Sequence, residues 1–460
     1  MSFTSTRWRD VWIAAASNAV TNLGSFLVLT TLMLTLQEEG QGGPAVAAVI
    51  IAESLPIVLL AAITGRLADR VDSRLLLLVA GGVQVGACLA LSAVDGMAPR
   101  VALLTLVFVG TAIAQPVRQA LMMTMASRED LPKVSGIAQT AASIGAIAGP
   151  AVAGFAQDGL GTQTTLRVAA AAFSATIIAG LLFRTRRGGD RLPAEARAQT
   201  GPVRMDSLLR VVTIGFAVVV GCIAAANVVE VFYVKATLGA SSSAYGLINS
   251  MWTVGMIAGT WITARLIRRA GDTAIVVGAF GALALTCAVL AMASQAPAVA
   301  WIVPLWLLGG GLNGAENVQV FTVFGRRAPE HARGRLSARL NAAVQGAALF
   351  GYAMGGLVLE WWQPRTVLLV GGVLGVVAVV AVAPWIRASV RRERRQQTQD
   401  REPQITDPGR ILPQDSTENP DPAHNGADPV LNGADPVLNG ADPAHNGAGS
   451  EDKQQAASAK

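Results

Sequence analysis

The chain has 460 residues, of which 52% are hydrophobic and only 14% charged, with a mean hydropathy of +0.46 and a formal net charge of +6. So apolar a chain of this length excludes a soluble globular protein and points to a polytopic membrane protein. The basic balance does not imply nucleic acid, because the Arg and Lys residues gather in short clusters between apolar runs, where they set topology.

Twelve apolar runs follow in chain order, at about 11–36, 45–64, 75–94, 101–125, 134–156, 164–183, 208–234, 244–264, 273–293, 299–324, 336–358 and 366–386. At 1.5 Å per residue such runs cross a hydrocarbon layer about 30 Å thick. The predicted fold is all-α: twelve transmembrane helices in two six-helix bundles, residues 1–183 and 208–386. Residues 184–207 form a polar linker with Gly188, Gly189, Pro193 and Pro202, and residues 387–460 form a disordered cytoplasmic tail. Arg7 and Arg9 precede the first run as in a signal peptide. That run is too long and eleven more follow, so it reads as a spanning helix. On it Asn18 and Asn22, four apart, share one face.

The second run holds Glu53 and leads into Gly65-Arg66-Leu67-Ala68-Asp69-Arg70-Val71-Asp72-Ser73-Arg74, read as a cytoplasmic loop. An Asp there can accept from the free amides that begin a neighbouring helix and meet its positive dipole end. Arg70 and Arg74 can pair with Glu129 or Asp130 at the end of the fourth run. Such bonds would hold the halves together on the cytoplasmic side. The fourth run also carries Arg118. An Arg at that depth either faces a polar cavity or snorkels to the interface, and its place near the inner end favours snorkelling.

The fifth run, Val134–Ala156, is 23 residues without a charge and rich in small side chains. Ala138, Ala142, Gly145, Gly149 and Ala153 follow at three- or four-residue steps and make one bare helix face, along which another backbone can approach closely in lipid. Pro150 removes the hydrogen bond to the Ala146 carbonyl and invites a bend. In the second half, Asn227 and Glu230 lie three apart on the seventh run, and Asn313, Glu316 and Asn317 cluster on the tenth. A charged, unpaired carboxylate at the bilayer centre costs roughly 2.5–3.5 kcal/mol, so Glu53, Glu230 and Glu316 are functional candidates by default. Burial disfavours the charged form of a carboxyl, the property needed to load a proton from one side and release it to the other. Gly255 and Gly259 on the eighth run form a GxxxG pair.

With the N-terminus taken as cytoplasmic, the inner segments before the tail hold 22 Lys and Arg residues, and the outer loops hold Arg100, Arg167, Lys235 and Arg365. Both termini are therefore expected in the cytoplasm. The halves echo each other: Ser127–Gln139 aligns with Pro329–Asn341, and Gly65–Arg70 with Ala264–Arg269, as a duplicated transporter would leave them. The tail repeats a DP[AV][HL]NGA unit four times over 421–448, too polar and too rich in Pro and Gly for a coiled coil. No Lys follows a Gly, so there is no phosphate-binding loop for an ATP-driven pump. His331, His424 and His445 fall outside the spans, and Cys88, Cys222 and Cys287 show no ligand spacing. No metal, no cofactor and no enzymatic activity are expected.

The Gly65–Arg74 segment resembles the signature cytoplasmic loop of the major facilitator superfamily, with Asp72 where Gly is usual and Ser73 where a basic residue is usual. Gly136, Gly145, Gly149, Pro150 and Gly154 are similar to the antiporter motif of its exporters, with Ala153 where the family usually has Gly. Pro116–Val134 resembles the enterobactin exporter-type branch. The resemblance implies that Asp69 latches onto the start of the eleventh span, near Gly334–Leu336, and that the eighth span receives the Gly149 face. It further implies proton-coupled efflux of an amphipathic small molecule such as a drug, siderophore or secondary metabolite. Glu53, Glu230, Glu316, Asn18, Asn22, Asn227, Asn313, Asn317 and Arg118 would line the cavity or carry the proton. The expected partners are that substrate, a counter-transported proton and the lipid of a bacterial inner membrane, with the chain a monomer. An importer of the same fold is the alternative, and a non-transporting sensor a more distant one.

Overall fold

In lipid a backbone amide has no water to bond, so each apolar run satisfies its own amides as a helix. The computed structural model describes residues 6–127, 129–185, 205–328 and 333–399, and among them there is no strand. The helices are α1 (Trp8–Glu38), α2 (Gly43–Arg70), α3 (Ser73–Leu91), α4 (Met97–Met125), α5 (Leu131–Leu182), α6 (Ser207–Phe232), α7 (Ser242–Leu266), α8 (Asp272–Ala293), α9 (Val299–Arg327), α10 (Arg333–Val358) and α11 (Pro364–Gln399). One π-turn, Tyr233–Thr237, follows α6. Within α5 the backbone breaks at Gly161, whose φ of +75° suits glycine, so α5 holds the fifth and sixth runs and the spans number twelve. Eight of these helices are long and apolar enough to cross a membrane by length and composition alone. The three that fall short, α7, α9 and α10, include the helix of Asn313, Glu316 and Asn317.

Helices α1–α5 pack among themselves, and α6–α11 do likewise. The two groups meet where α5 runs along α7 and α2 along α10. Successive helices alternate in direction. The α1–α2 turn, the Gly161 break and the α6–α7 turn therefore share one face, which we name the turn face. The chain start and the short α2–α3 and α4–α5 connections share the other, the terminal face. The core follows the same division. At the turn face one apolar cluster runs through both halves, from Leu27, Leu32 and Phe173 to Val228, Tyr233, Tyr245 and Trp306. Toward the terminal face it splits into two. One cluster holds Val11, Leu77, Leu121 and Phe183, and the other holds Val212, Phe280, Phe324 and Leu340.

Several boundaries differ from expectation for physical reasons. Gly65–Arg70 is not loop but the last turns of α2, which end at Val71. The connection is short because Asp72, where the resembled motif has Gly, caps α3: its Oδ1 accepts from the Arg74 and Leu75 amides at 2.7 and 3.3 Å. Arg70 and Arg74 do not pair with Glu129 or Asp130. Asp130 instead accepts from Thr6 Oγ1 and, at 3.1 Å, from Ser127 Oγ. Those hydrogen bonds, Thr6 first, hold its carboxyl below the ordinary range. Helix α11 runs on past Ile386 to Gln399, through a stretch free of Pro and Gly whose Arg residues suit the negative end of a helix dipole. The Asp69 side chain, residues 329–332, the side chains of 333–335, most of the 184–207 linker and the 421–448 repeats lie outside the described residues.

Candidate functional site

Helical spacing builds one polar cavity inside the first half, of about 550 Å³. Helix α1 contributes Asn18, Thr21, Asn22 and Ser25, and α4 contributes Thr111, Gln115, Arg118, Gln119 and Met122. Both sets step by three or four residues and so fall on one helix face. Glu53 of α2 closes one side, and Ser135, Ala138, Gln139 and Ala142 of α5 close another. The cavity reaches toward the ends of α4 and α5 at the terminal face. Four of the residues singled out from sequence are thus brought together: Asn18, Asn22, Glu53 and Arg118.

The wall is partly fixed and partly open. Asn22 Nδ2 donates to Asn18 O at 2.8 Å and to its Oδ1 at 3.1 Å, while Asn18 Nδ2 donates to the Ala138 carbonyl at 3.2 Å. That ties α1 to α5 beneath the cavity. Thr21 shares a hydrogen bond with Thr176, and Thr111 accepts from Gln84. Arg118 is only 6% exposed and so does not snorkel. Its Nη1 is enclosed with no partner. Gln115, Gln119 and Gln139 join the cavity wall without being among the residues expected there. The i, i+3, i+4 spacing of Gln115, Arg118 and Gln119 would have found the first two.

The second-half acids occupy different surroundings and do not line this cavity. Glu230 Oε1 accepts from Asn249 Nδ2 at 3.0 Å and from Trp306 Nε1 at 2.9 Å, in a closed cluster of α6, α7 and α9. Trp252 stands edge-on to Trp306, with ring centroids 6.2 Å apart. Glu316 is completely buried: Oε1 accepts from Asn313 Nδ2 at 2.8 Å, and Oε2 has no partner. Asn317 donates to the Asn313 carbonyl, and Asn227 is exposed. The pairing of Asn249 and Trp306 with Glu230 is legible only from the fold, since they sit 19 and 76 residues from it in sequence.

The small residues of α5 serve two neighbours. A Cβ on Gly145 would overlap the Ala19 carbonyl of α1, and one on Gly149 the Phe26 Cβ of the same helix. Pro150 and Gly154, turned by about 100° per residue from those positions, meet α7 instead. A Cβ on Gly246 would overlap the Pro150 carbonyl, and one on Gly154 the Ser242 carbonyl. Ser250 Oγ donates to the Ile147 carbonyl at 2.7 Å. Gly136 has open space around it. The expectation that Gly255 and Gly259 receive Gly149 is therefore corrected: both face α9, against the Leu307 and Gly311 carbonyls.

At the turn face the halves are also tied by charge. Lys235 Nζ donates to Glu38 Oε1 at 3.0 Å, Ser242 Oγ donates to the same oxygen at 3.1 Å, and Gln157 Nε2 reaches Glu38 Oε2 at 3.2 Å. Asp158 Oδ2 accepts the Ser243 amide at 2.8 Å, in the first turn of α7. This arrangement closes the turn face, while the polar cavity lies on the other side of the closure.

A family model described as "Transmembrane secretion effector" matches residues 2–408. Comparison with curated proteins finds no match. Among solved structures, the chain is similar to a point mutant of the nucleoside transporter NupG, at TM-score 0.67 and 14% identity, over 82% of this chain and 99% of that one. It is similar to a bacterial homologue of the iron transporter ferroportin in an inward-facing state, at TM-score 0.65 and 16% identity, over 83% and 100%. It is also similar to a POT family transporter in complex with 5-aminolevulinic acid, at TM-score 0.70 and 8% identity, over 83% and 96%. At these identities the likeness is one of fold.

Proposed function

The chain belongs to the transmembrane secretion effector family and is a multi-pass membrane transporter of the major facilitator type, and from that premise we propose that it exports a small molecule in exchange for protons. The observation that carries the reading is the cavity of about 550 Å³, polar on four helices, set beside the close α5–α7 contact. A cavity of that size suits a small molecule. Bare backbones at Gly154 and Gly246 let the halves pivot, so that the cavity opens to one aqueous side at a time.

The excess of Lys and Arg on the terminal face supports a cytoplasmic N-terminus and hence an inward-facing cavity. An exporter loads its cargo from that side. Glu53 faces the cavity, and Glu230 and Glu316 are the enclosed carboxyls of the second half. We assign proton exchange to this set. The membrane is then the bacterial inner membrane, with the cargo moved outward.

Inverted membrane vesicles with an inside-acid gradient test the reading. Cargo should accumulate inside them and should leak out when the gradient is collapsed. Accumulation in right-side-out vesicles alone would assign import instead.

A further inference from the structure

Two charged side chains face the first-half cavity, Glu53 from α2 and Arg118 from α4. Neither forms an ion pair or a hydrogen bond among the described residues, with each other or with anything else. For Arg118 this is costly. A guanidinium carries five donors and no acceptor, and a buried donor without a partner loses its hydration for nothing in return. Arg118 is 94% buried, its Nη1 is sealed from solvent, and its neighbours do not serve it. The Asn18 amide is spent on Ala138 and Asn22, the Asn22 Nδ2 donates to Asn18, and the Thr111 hydroxyl donates to the Val107 carbonyl and accepts from Gln84. Gln115, Gln119, Ser135 and Gln139, by contrast, form no protein hydrogen bond among the described residues and line the same space.

We propose that the cargo carries an anionic oxygen group, a carboxylate or a group of like charge and shape, that docks on Arg118, with the Gln115, Gln119 and Gln139 amides hydrogen-bonding the polar atoms beside it. This deepens the transport reading above and rests on it. A planar guanidinium meets a carboxylate through two parallel hydrogen bonds, which gives both charge compensation and orientation. Eleven of the nineteen residues that line the cavity are polar or charged, beside apolar side chains such as Phe26, Ile57 and Phe108. The cavity therefore selects a hydrogen-bonding cargo with an acid group over a purely apolar one, because a neutral molecule would leave the buried guanidinium unpaired. Glu53, facing the same space, disfavours a second anionic group on the α2 side.

The test uses the full chain in lipid nanodiscs at pH 7.5 and two fluorescent probes that differ in one group: dansylglycine, a carboxylate, and dansylglycinamide, its neutral counterpart. Empty nanodiscs correct for partition into lipid. Dansylglycine should bind at least about tenfold more tightly than the amide. Arg118→Gln should bring the two within about twofold, and Arg118→Lys should keep a reduced preference for the acid. Glu53→Gln should keep or raise that preference. Equal affinities in the native chain, a preference for the amide, no binding of dansylglycine below millimolar concentration, or an undiminished preference in a folded Arg118→Gln variant would each overturn the proposal. The native-chain comparison decides even if Arg118→Gln fails to fold. Binding is read without transport, so the two readings fail separately. Vesicles that move a neutral cargo while the probes show no charge preference overturn the anion assignment alone. A clear preference with no gradient-driven transport overturns only the transport reading.

Discussion

Asp158, just before the break in α5, places a carboxylate oxygen 2.8 Å from the backbone amide of Ser243 at the start of α7. The contact joins the two halves at the turn face through a helix N-terminus, where an acid meets free amides and a positive dipole end. Such a contact contributes about 0.3–1 kcal/mol, which is weak enough to break in every cycle. Asp158→Asn should therefore shift the equilibrium away from the closed turn face by roughly two- to fivefold. Hydrogen exchange of the first turn of α7 should rise by a similar factor, and unchanged exchange there would show that the contact does not hold the face shut.

Close packing contributes more than the charge. Gly154 and Gly246 admit no Cβ without overlapping the Ser242 and Pro150 carbonyls, and forcing atoms into a packed contact costs about 1–3 kcal/mol or more. Gly154→Leu should leave the protein folded, because each half keeps its own apolar cluster toward the terminal face, away from this contact. It should reduce transport at least tenfold by keeping the turn face apart. Gly136→Leu is the control, since that position is open, and transport should survive it. Equal loss in both variants would mean general damage to α5.

Glu316 has one oxygen paired with Asn313 and the other without a partner. Glutamine keeps the acceptor that Asn313 uses and stands in for a proton-loaded carboxyl, so Glu316→Gln should change thermal stability little. It should abolish accumulation driven by a proton gradient while sparing downhill exchange. The same pair of assays applies to Glu230→Gln, whose Trp306 and Asn249 donors can still bond an amide oxygen. Full gradient-driven transport in both variants would remove these acids from the coupling machinery.

At the terminal face, Thr6 and Ser127 hold the Asp130 carboxyl below the ordinary Asp value of 3.8. A group whose folded value is lowered adds stability above its unfolded value and loses it only as pH falls through the folded one. The tie should therefore persist from pH 8 to pH 5. Exchange of the Ser127 amide, which donates to Thr6 Oγ1 at 3.0 Å, should stay constant over that range once intrinsic rates are corrected. Asp130→Asn should raise it at every pH. A rise on acidification to pH 5 in the native chain would contradict the assignment.

Much of this architecture can be read from the residues alone. Twelve apolar runs, the clustered Arg residues and the bare stretch from Val134 to Ala156 specify the helices and their number, because in lipid a helix is the default and charge marks its ends. Partners across the fold are harder. Gly145 and Gly149 are bare on the same stretch as Gly154, yet they face α1 while Gly154 faces α7, and nothing local to the sequence distinguishes those neighbours. Arg118 reads from its position as a snorkelling side chain, and only the assembled walls of four helices show it enclosed. The Glu38–Lys235 bridge spans 197 residues, a separation over which no periodicity speaks. Asp72 is the reverse case. A departure from the resembled motif becomes intelligible once it is seen capping α3.

The central claim is that the halves pivot at α5 and α7, closing one face as they open the other. It is tested most directly by two spin-label distances in a chain lacking Cys88, Cys222 and Cys287. One pair, at Gln163 and Thr237, spans the turn face, and the other, at Lys133 and Leu266, spans the terminal face. When Gly154→Leu is introduced, or when cargo and a proton gradient are supplied, the first distance should lengthen as the second shortens. Distances that stay fixed, or that grow and shrink together, would contradict the account.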